Sequence, residues 1–133
     1  MALKVEVSVG ELLDKITILE IKSERIDDPA KLVNVRRELE LLRDTWNASP
    51  LAATDVAAEV TGLKTVNEEL WEIEDDIRRH EAAADFGESF VKLARSVYHA
   101  NDRRAALKKD LNLKCGSTLV EEKSYVDYSR EKD

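Results

Sequence analysis

The sequence has few of the residues that form cross-links, turns and membrane spans. Cys115 is the single cysteine, so no disulfide can form within the chain, as is usual in a reducing cytoplasm. Four glycines and two prolines among 133 residues are too few for the many turns of an all-β fold, and aromatic residues make up only 5%. No apolar run approaches the roughly 18 residues of a membrane span, and none near residue 1 is typical of a signal peptide. We therefore expect a cytoplasmic protein that does not insert into membranes.

Charged residues are abundant instead, at 37% of the chain against about a quarter in an average protein. The 28 acidic and 21 basic side chains give a net charge of −7. Because that charge repels polyanions, we expect no nucleic-acid partner and no binding to an anionic membrane surface. The basic run RRAALKK at residues 103–109 has no aromatic residues beside it, which agrees with this expectation.

Local start and stop signals divide the chain into helices. The capping-box pattern at residues 8–11 predicts a first helix over about residues 9–26. Asp28 followed by Pro29 is an N-cap pattern that predicts the start of a second helix. The segment 47–50, which contains a proline, is expected to end that helix.

Two longer helices, each of roughly 25 residues or more, are predicted to follow. Thr54 or Asp55 can cap the third helix, residues 82–87 are the predicted turn, and Gly116 ends the fourth helix. We therefore predict one all-α domain over residues 1–133. It is an antiparallel bundle of four main helices in which the third and fourth form a long, coiled-coil-like hairpin.

Both ends of the chain carry patterns of their own. Residues 1–9 alternate apolar and polar side chains, which predicts a short extended segment. The tail from residue 117 has two apolar residues near its beginning and keeps two tyrosines, so we expect an ordered arm that packs at least as far as Tyr125. The arm is expected to lie on one face of the first helix, with residues 129–133 frayed.

The first helix has apolar residues on two faces. Its principal stripe consists of Leu12, Ile16, Leu19, Ser23 and Ile26. A second line runs along nearly the opposite side through Asp14, Ile18, Ile21 and Arg25. Because a surface helix needs one apolar stripe, we expect this helix to be sandwiched, with the tail, the N-terminal segment or another subunit as its second partner. Apolar residues off the main stripes of the next two helices, namely Val33, Leu41 and Trp71, favour a homodimer.

Charged residues lie along the borders between these two faces. Lys15 and Lys22 fall at one border and Glu20 at the other. One interpretation is that the lysine stems extend over apolar surface and keep their ammonium groups in water. The other is that these residues join Asp14 in a polar network inside the bundle, where each buried charge needs a partner.

An arginine occupies a core position of the fourth helix. Arg104 interrupts a heptad-like run of apolar residues and follows Arg103. Guanidinium groups prefer bidentate carboxylate or phosphate partners. The partner is therefore either Asp14 or Glu20, in an ion pair that fixes the helix register, or the anionic group of a ligand. Such internal charges are similar in style, though not in spacing, to those of the all-helical chorismate mutases, which hold a dicarboxylate.

Three segments of the chain carry a family resemblance: VSVGELLDKITILEIKSERI, LARSVYHANDRRAALKKDLN and GSTLVEEKSY. They are similar to the signature blocks of a family of small bacterial proteins that is catalogued only as a domain of unknown function. The resemblance covers most of the chain and implies an all-helical cytoplasmic protein without an assigned activity. It also carries an association with cell-envelope polysaccharide metabolism, which is not a mechanism. In the third block, Lys123 and Tyr125 either belong to a packed arm or line a site with Asp14 and Arg104.

The densest acidic segment, NEELWEIEDDIRRHE, lies in the third helix. Its residues Glu68, Glu69 and Glu72 are similar to the EExxE half of the metal site of the all-α nucleotide pyrophosphatases, where acidic residues of two helices hold Mg²⁺. The fourth helix lacks a matching acidic pair, and the spacing of Glu74 and Arg78 is typical of i,i+4 ion pairs on a solvated face. We therefore predict no metal site and no cofactor.

Two functions stay open at this point, and no catalytic residue is assigned. The two apolar faces of the first helix favour an interaction or assembly protein that forms a homo-oligomer or binds a protein partner. The alternative is a binder or enzyme for an anionic small molecule. Its site would use the internal charged residues Asp14, Lys15, Glu20, Lys22, Arg103 and Arg104. Fully paired charges without an open pocket would favour the first function, and unpaired charges that converge on a concave site would favour the second.

Overall fold

The computed structural model describes residues 1–130, and the predicted fraying of residues 131–133 lies outside the described residues. It contains four α-helices: α1 (Val9–Arg25), α2 (Pro29–Ala48), α3 (Ala57–Ala82) and α4 (Glu88–Cys115). A short 3₁₀ helix, Pro50–Ala53, connects α2 to α3. No β-strand occurs within residues 1–130. The predicted all-α bundle is confirmed.

The helix ends follow the capping signals of the sequence. The Ser8 hydroxyl accepts a hydrogen bond from the Glu11 amide (3.1 Å), and the Asp28 carboxylate accepts one from the Ala30 amide (2.9 Å). At the other end of the chain Gly116 has φ 65° and ψ 40°, the left-handed conformation that ends α4. Glycine adopts this conformation without the steric penalty that a side chain would add.

The start of α3 differs slightly from the prediction. The residue in the N-cap position is Val56, whose side chain cannot accept a hydrogen bond, rather than Thr54 or Asp55. The Asp55 carboxylate nevertheless accepts a hydrogen bond from the amide of Ala57, the first helical residue (3.2 Å). Asp55 therefore supplies the cap from one position further upstream.

The first helix lies at the centre of the fold. It packs against α2 on one side and against both α3 and α4 on the other. The prediction that α1 is sandwiched is confirmed, but the predicted second partner is wrong. The second face is covered by the α3/α4 hairpin of the same chain, rather than by the tail, the N-terminal segment or another subunit.

The core forms where α1 meets its neighbours. Leu13, Ile16 and Leu19 of α1 are buried, together with Leu63 of α3 and Leu111 of α4. Of the predicted stripe, Leu12 and Ile26 are only partly buried against this core. On the second face Asp14 and Ile21 are fully buried, as is Thr17. This face is therefore covered along much of its length, although Ile18 is only half-buried.

The hairpin extends beyond the core. Residues 68–99, which comprise the second half of α3, the turn and the first half of α4, contain no buried residue. They pack mainly through the contact between the two helices, and Phe86 and Phe90 meet edge to face near the turn. Arg25 of α1 also contacts Glu72, and Tyr128 of the arm contacts Tyr98. No helix within residues 1–130 has the length and apolar character that a bilayer crossing requires.

The chain ends differ from the predictions in their placement. Residues 1–7 are exposed and form neither helix nor strand, so their alternation covers no face of the bundle. The arm runs back along α4, because Glu121 contacts Lys108 and Tyr128 contacts Asp102. The predicted placement on α1 is therefore wrong. Tyr125, expected to pack, is 77% exposed, and Tyr128 is the aromatic residue that anchors the arm.

Candidate functional site

A carboxylate of α1 lies at the bottom of the interface with the hairpin. Asp14 has no exposed surface, and its Oδ1 accepts a hydrogen bond from the side-chain amide of Asn67 of α3 (2.9 Å). The same amide donates to the hydroxyl of Thr17 (3.0 Å), which in turn donates to the Asp14 carbonyl (2.7 Å). The bond from Asn67 to Oδ1 is needed because an unpartnered buried carboxylate is costly, and the other two bonds satisfy the buried Thr17 hydroxyl.

The charge of Asp14 is balanced by an arginine of α4. Arg104 donates from Nε to Oδ1 (3.0 Å) and from Nη2 to Oδ2 (2.5 Å), a bidentate geometry. The hydrogen bonds to Asp14 raise the pKa of the Arg104 guanidinium above its ordinary value, against the opposing effect of burial. Of the two carboxylates considered from the sequence, Asp14 is the partner and Glu20 is not.

A second ion pair joins the same two helices about one turn away. The ammonium group of Lys108, whose side chain is 8% exposed, binds Glu11 of α1 (2.6 Å) and Glu121 of the arm (2.8 Å). Burial lowers the pKa of Lys108, but the hydrogen bonds to the two carboxylates outweigh it and leave the pKa raised. The hydrogen bond from Lys108 lowers the pKa of Glu121.

The first amides of α1 receive their acceptors from distant parts of the chain. The Gly10 amide donates to the side-chain Oδ1 of Asn112 (2.7 Å), and the Val9 amide donates to the Ser117 hydroxyl (3.3 Å). With Ser8, these side chains satisfy three amides that no helix can satisfy internally. The helix N-terminus is therefore already capped.

Together these contacts form a polar seam between α1 and α4. The two helices are antiparallel, so residue numbers increase along α1 as those of their partners on α4, and just beyond its end, decrease. The residue pairs of the seam are Val9–Ser117, Gly10–Asn112, Glu11–Lys108 and Asp14–Arg104. Lys108 and Asn112 were not predicted as functional or structural residues. The spacing could have indicated them, because they follow the core position of Arg104 by four and eight residues on a helix.

The other predicted site residues do not join this seam. Glu20 lies near Arg43 (3.7 Å) and Lys64 (3.5 Å), and Arg103 pairs with Glu69 of α3 (2.5 Å) on the surface. Lys15 is exposed.

Lys123 and Tyr125 line a cavity between the arm and α4, with Asn101 and Asp102 of α4. Neither of the two lines the cavity that contains Arg104. The predicted site that joins Lys123 and Tyr125 to Asp14 and Arg104 is therefore not formed.

An open cleft lies beside the buried ion pair, between α1, α3 and α4. Its volume is about 520 Å³. Ile18 and Lys22 line it from α1, and Asn101 and Arg104 from α4. The α3 wall consists of Asn67, Leu70, Trp71, Glu74, Asp75 and Arg78. The cleft thus combines an apolar floor with charged groups, which is the usual composition of a ligand site.

The three acidic residues of α3 considered as metal ligands, Glu68, Glu69 and Glu72, are engaged in ion pairs. Arg25 of α1 contacts both Glu72 and Glu68 (4.0 Å to Glu68), and Glu69 binds Arg103. Within residues 1–130 no three His, Cys, Asp or Glu side chains come together in an arrangement that could hold a metal ion. Glu68, Glu69 and Glu72 instead connect α3 to its neighbours.

Comparison with known proteins shows the family of this chain. The model of the family of unknown function DUF6165 matches residues 3–129, so the chain belongs to that family. No curated protein and no solved structure matches the chain. The function must therefore be argued from the site itself.

Proposed function

We propose that this protein binds a small molecule that carries an anionic group, in the cleft between α1, α3 and α4. Three cations line the cleft, and Arg78 is paired with Glu74. The observation that supports the proposal is that the other two cations of the cleft have charge or donors left over. Lys22 lines it and has no carboxylate partner within 4.0 Å among residues 1–130, while Arg104 lines it with part of its guanidinium unused.

Arg104 has a fixed orientation and free N–H donors with which it can bind such an anionic group. Its Nε and Nη2 bind Asp14, whereas Nη1 makes no hydrogen bond to any residue within 1–130, and 28% of the side chain is exposed. A guanidinium has five N–H donors, so two bonds to a carboxylate leave donors for a second anion. Because Asp14 fixes the guanidinium, binding would cost little side-chain entropy.

The remaining walls suggest the shape of the ligand. Ile18, Leu70 and Trp71 supply apolar surface, and the guanidinium of Arg25 lies 5.9 Å from the centre of the Trp71 ring. Glu74 and Asp75 lie seven and eight residues beyond Asn67, about 10–12 Å along α3. We therefore expect the anionic group near Lys22 and Arg104, and an apolar or planar part against Leu70 and Trp71.

The experiment is a thermal-shift screen of the purified protein with nucleotides, nucleotide sugars, phosphorylated sugars and small dicarboxylates, each with and without Mg²⁺. A ligand at about 100 times its dissociation constant should stabilise the protein by about 2.7 kcal/mol. Lys22→Met should abolish the shift without unfolding the protein, because Lys22 is only half-buried and forms no ion pair with any of residues 1–130.

The matched control is Lys15→Met, which removes an exposed lysine of the same helix that does not line the cleft. It should leave the shift unchanged. No shift with any compound, or an equal shift in Lys22→Met and the unaltered protein, would contradict the proposal.

Self-association is the second candidate function. It is favoured by large apolar side chains on the outer side of α2, where Val33 is 56% and Leu41 is 60% exposed. A homodimer through this face would leave the cleft open. Sedimentation equilibrium tests the idea: a dimer that Leu41→Lys dissociates supports it, and a monomer at all concentrations contradicts it. Both functions suit the cytoplasm, where the single cysteine would stay reduced.

A further inference from the structure

A second cavity, between the arm and α4, has a different chemistry from the cleft. Its volume is about 490 Å³. All three tyrosines of the chain line it: Tyr98 of α4, and Tyr125 and Tyr128 of the arm. Aromatic residues make up only 5% of the sequence, so this concentration is not a consequence of composition.

The aromatic rings of this cavity form an ordered group. Tyr98 and Tyr128 lie with ring centres 4.8 Å apart at an interplanar angle of 64°. His99, which does not line the cavity, supports Tyr128 from behind in an edge-to-face contact with centres 5.1 Å apart. The Tyr128 hydroxyl donates a hydrogen bond to the carboxylate of Asp102, which lines the same cavity. The hydrogen bond to Asp102 raises the pKa of Tyr128 above its ordinary value.

Tyr125 is not explained by packing of the arm. Tyr128 anchors the arm through its ring contacts and its hydroxyl. Tyr125 is 77% exposed and makes no side-chain hydrogen bond to any residue within 1–130, yet it lines the cavity. A tyrosine with a free ring face beside two other aromatic walls is well placed to contact a ligand.

We propose that this cavity binds a small organic cation with a methylated ammonium group. The negative faces of aromatic rings attract such cations, and a group of several aromatic rings is the usual recognition site for a quaternary ammonium group. Asp102 supplies a carboxylate, and Val126 adds apolar surface for methyl groups. This site is independent of the anion cleft, since it selects the opposite charge and shares only Asn101 with it.

One cation of the protein, Lys123, also lines the cavity. The hydrogen bond from Lys108 and, more weakly, the charge of Lys123 lower the pKa of the Glu121 carboxyl. The positive charge of Lys123 opposes a cationic ligand. Lys123→Gln should therefore tighten binding, a change that a purely structural role of the cavity would not produce.

The test is a calorimetric titration of the full-length protein with choline and with 3,3-dimethylbutan-1-ol, which has the shape of choline but no charge. Choline should bind at least about tenfold more tightly than the neutral isostere, because the cation–π attraction acts only on the charged molecule. Equal binding of the two compounds, or no binding at about 10 mM choline, would overturn the proposal.

Two substitutions test whether choline binds in this cavity. Tyr125→Leu should weaken choline binding about tenfold. Because Tyr125 is exposed, the substitution should not unfold the protein, so the weaker binding would report the loss of the ring. Phe86→Leu is the matched control, because Phe86 is an exposed aromatic residue at the hairpin turn, outside the cavity. A choline affinity that is unchanged in Tyr125→Leu, or reduced equally in Phe86→Leu, would place the binding elsewhere and refute the assignment.

Discussion

Arg104 of α4 donates two hydrogen bonds to the carboxylate of Asp14, a residue of α1 that is 90 positions away in sequence and has no exposed surface. The pair fixes the register of α1 against α4 at one depth in the bundle. Because Arg104 also lines the cleft, the same guanidinium belongs to the core on one side and to the candidate ligand site on the other.

The first prediction concerns the loss of this arginine. Arg104→Leu should lower the free energy of unfolding by about 3–5 kcal/mol, because it leaves the Asp14 carboxylate buried with the side-chain amide of Asn67 as its one hydrogen-bond donor among residues 1–130. Urea unfolding measures the change. Arg103→Leu is the control: its ion pair with Glu69 is exposed, so its loss should cost at most about 1 kcal/mol.

A double variant separates the two roles of the pair. Replacing both partners, in Asp14→Leu with Arg104→Leu, should recover much of the lost stability, since a buried ion pair can often be exchanged for apolar side chains. If the double variant is as unstable as Arg104→Leu alone, the cost does not come from an unpaired carboxylate and our account of the seam fails.

The second prediction concerns the close approach of α1 and α4. A Cβ atom at position 10 would lie 2.4 Å from the carbonyl oxygen of Lys108, and a backbone oxygen can move only with its helix. Gly10→Ala should therefore destabilise the protein by about 1–3 kcal/mol, although alanine favours helices. Thermal unfolding measures the difference.

Gly62→Ala is the matched control for Gly10→Ala. The new Cβ would meet only the side chain of Leu107, at 3.2 Å, and a half-buried leucine can shift by a few tenths of an ångström. We expect a change within about 1 kcal/mol of zero, because the gain in helix propensity offsets the adjustment. If the two substitutions cost the same, the close helix approach at Gly10 is not a constraint.

The sequence predicts those parts of the fold that depend on neighbouring residues. Ser8 and Asp28 cap the starts of α1 and α2, and Gly116 ends α4, as expected. Each of these residues acts on backbone groups within a few positions. The core position of Arg104 follows from helical period alone. The identity of its partner, Asp14 rather than Glu20, does not follow from the period, because it depends on the register of α4 relative to α1.

The features that the sequence did not predict depend on contacts between distant segments. The second apolar line of α1 predicts only that Ile21 is buried. It does not distinguish a second subunit from the hairpin as the surface that covers Ile21. The hydrogen bond by which Asn112 caps the Gly10 amide joins residues 102 positions apart, so no local sequence motif predicts it. The arm has no helical or strand period, so nothing in its pattern distinguishes α4 from α1 as its support.

The third prediction concerns that distant cap. Asn112 is 2% exposed, and its Oδ1 accepts the Gly10 amide proton. Asn112→Ala should cost about 1–3 kcal/mol, because the amide would stay buried without an acceptor. Asn47→Ala, at an exposed position near the end of α2, should be nearly neutral. Equal effects of the two substitutions on urea unfolding would show that the cap does not stabilise α1.

The fourth prediction is that acid releases the arm before the bundle unfolds. The pKa of Glu121 is lowered from its ordinary value of 4.5, so its ion pair with Lys108 contributes stability above pH 4.5. That contribution is lost as the pH falls through the lowered pKa. The pKa of Lys108 is raised from 10.5, so on the alkaline side the contribution is lost only as the pH rises beyond 10.5. The arm should therefore stay attached between these limits.

Heteronuclear NOE values of the arm amides measure this release directly. In the unaltered protein they should fall below pH 4.5 while those of α1 stay constant. Glu121→Gln should give low values in the arm already at pH 7, because a neutral amide binds the Lys108 ammonium more weakly than a carboxylate does. Glu122→Gln should not, since Glu122 reaches Lys109 only at 3.8 Å on the exposed surface. If both variants release the arm equally, overall charge rather than the Glu121–Lys108 contact holds it, and the buried ammonium of Lys108 would then serve only Glu11 of α1.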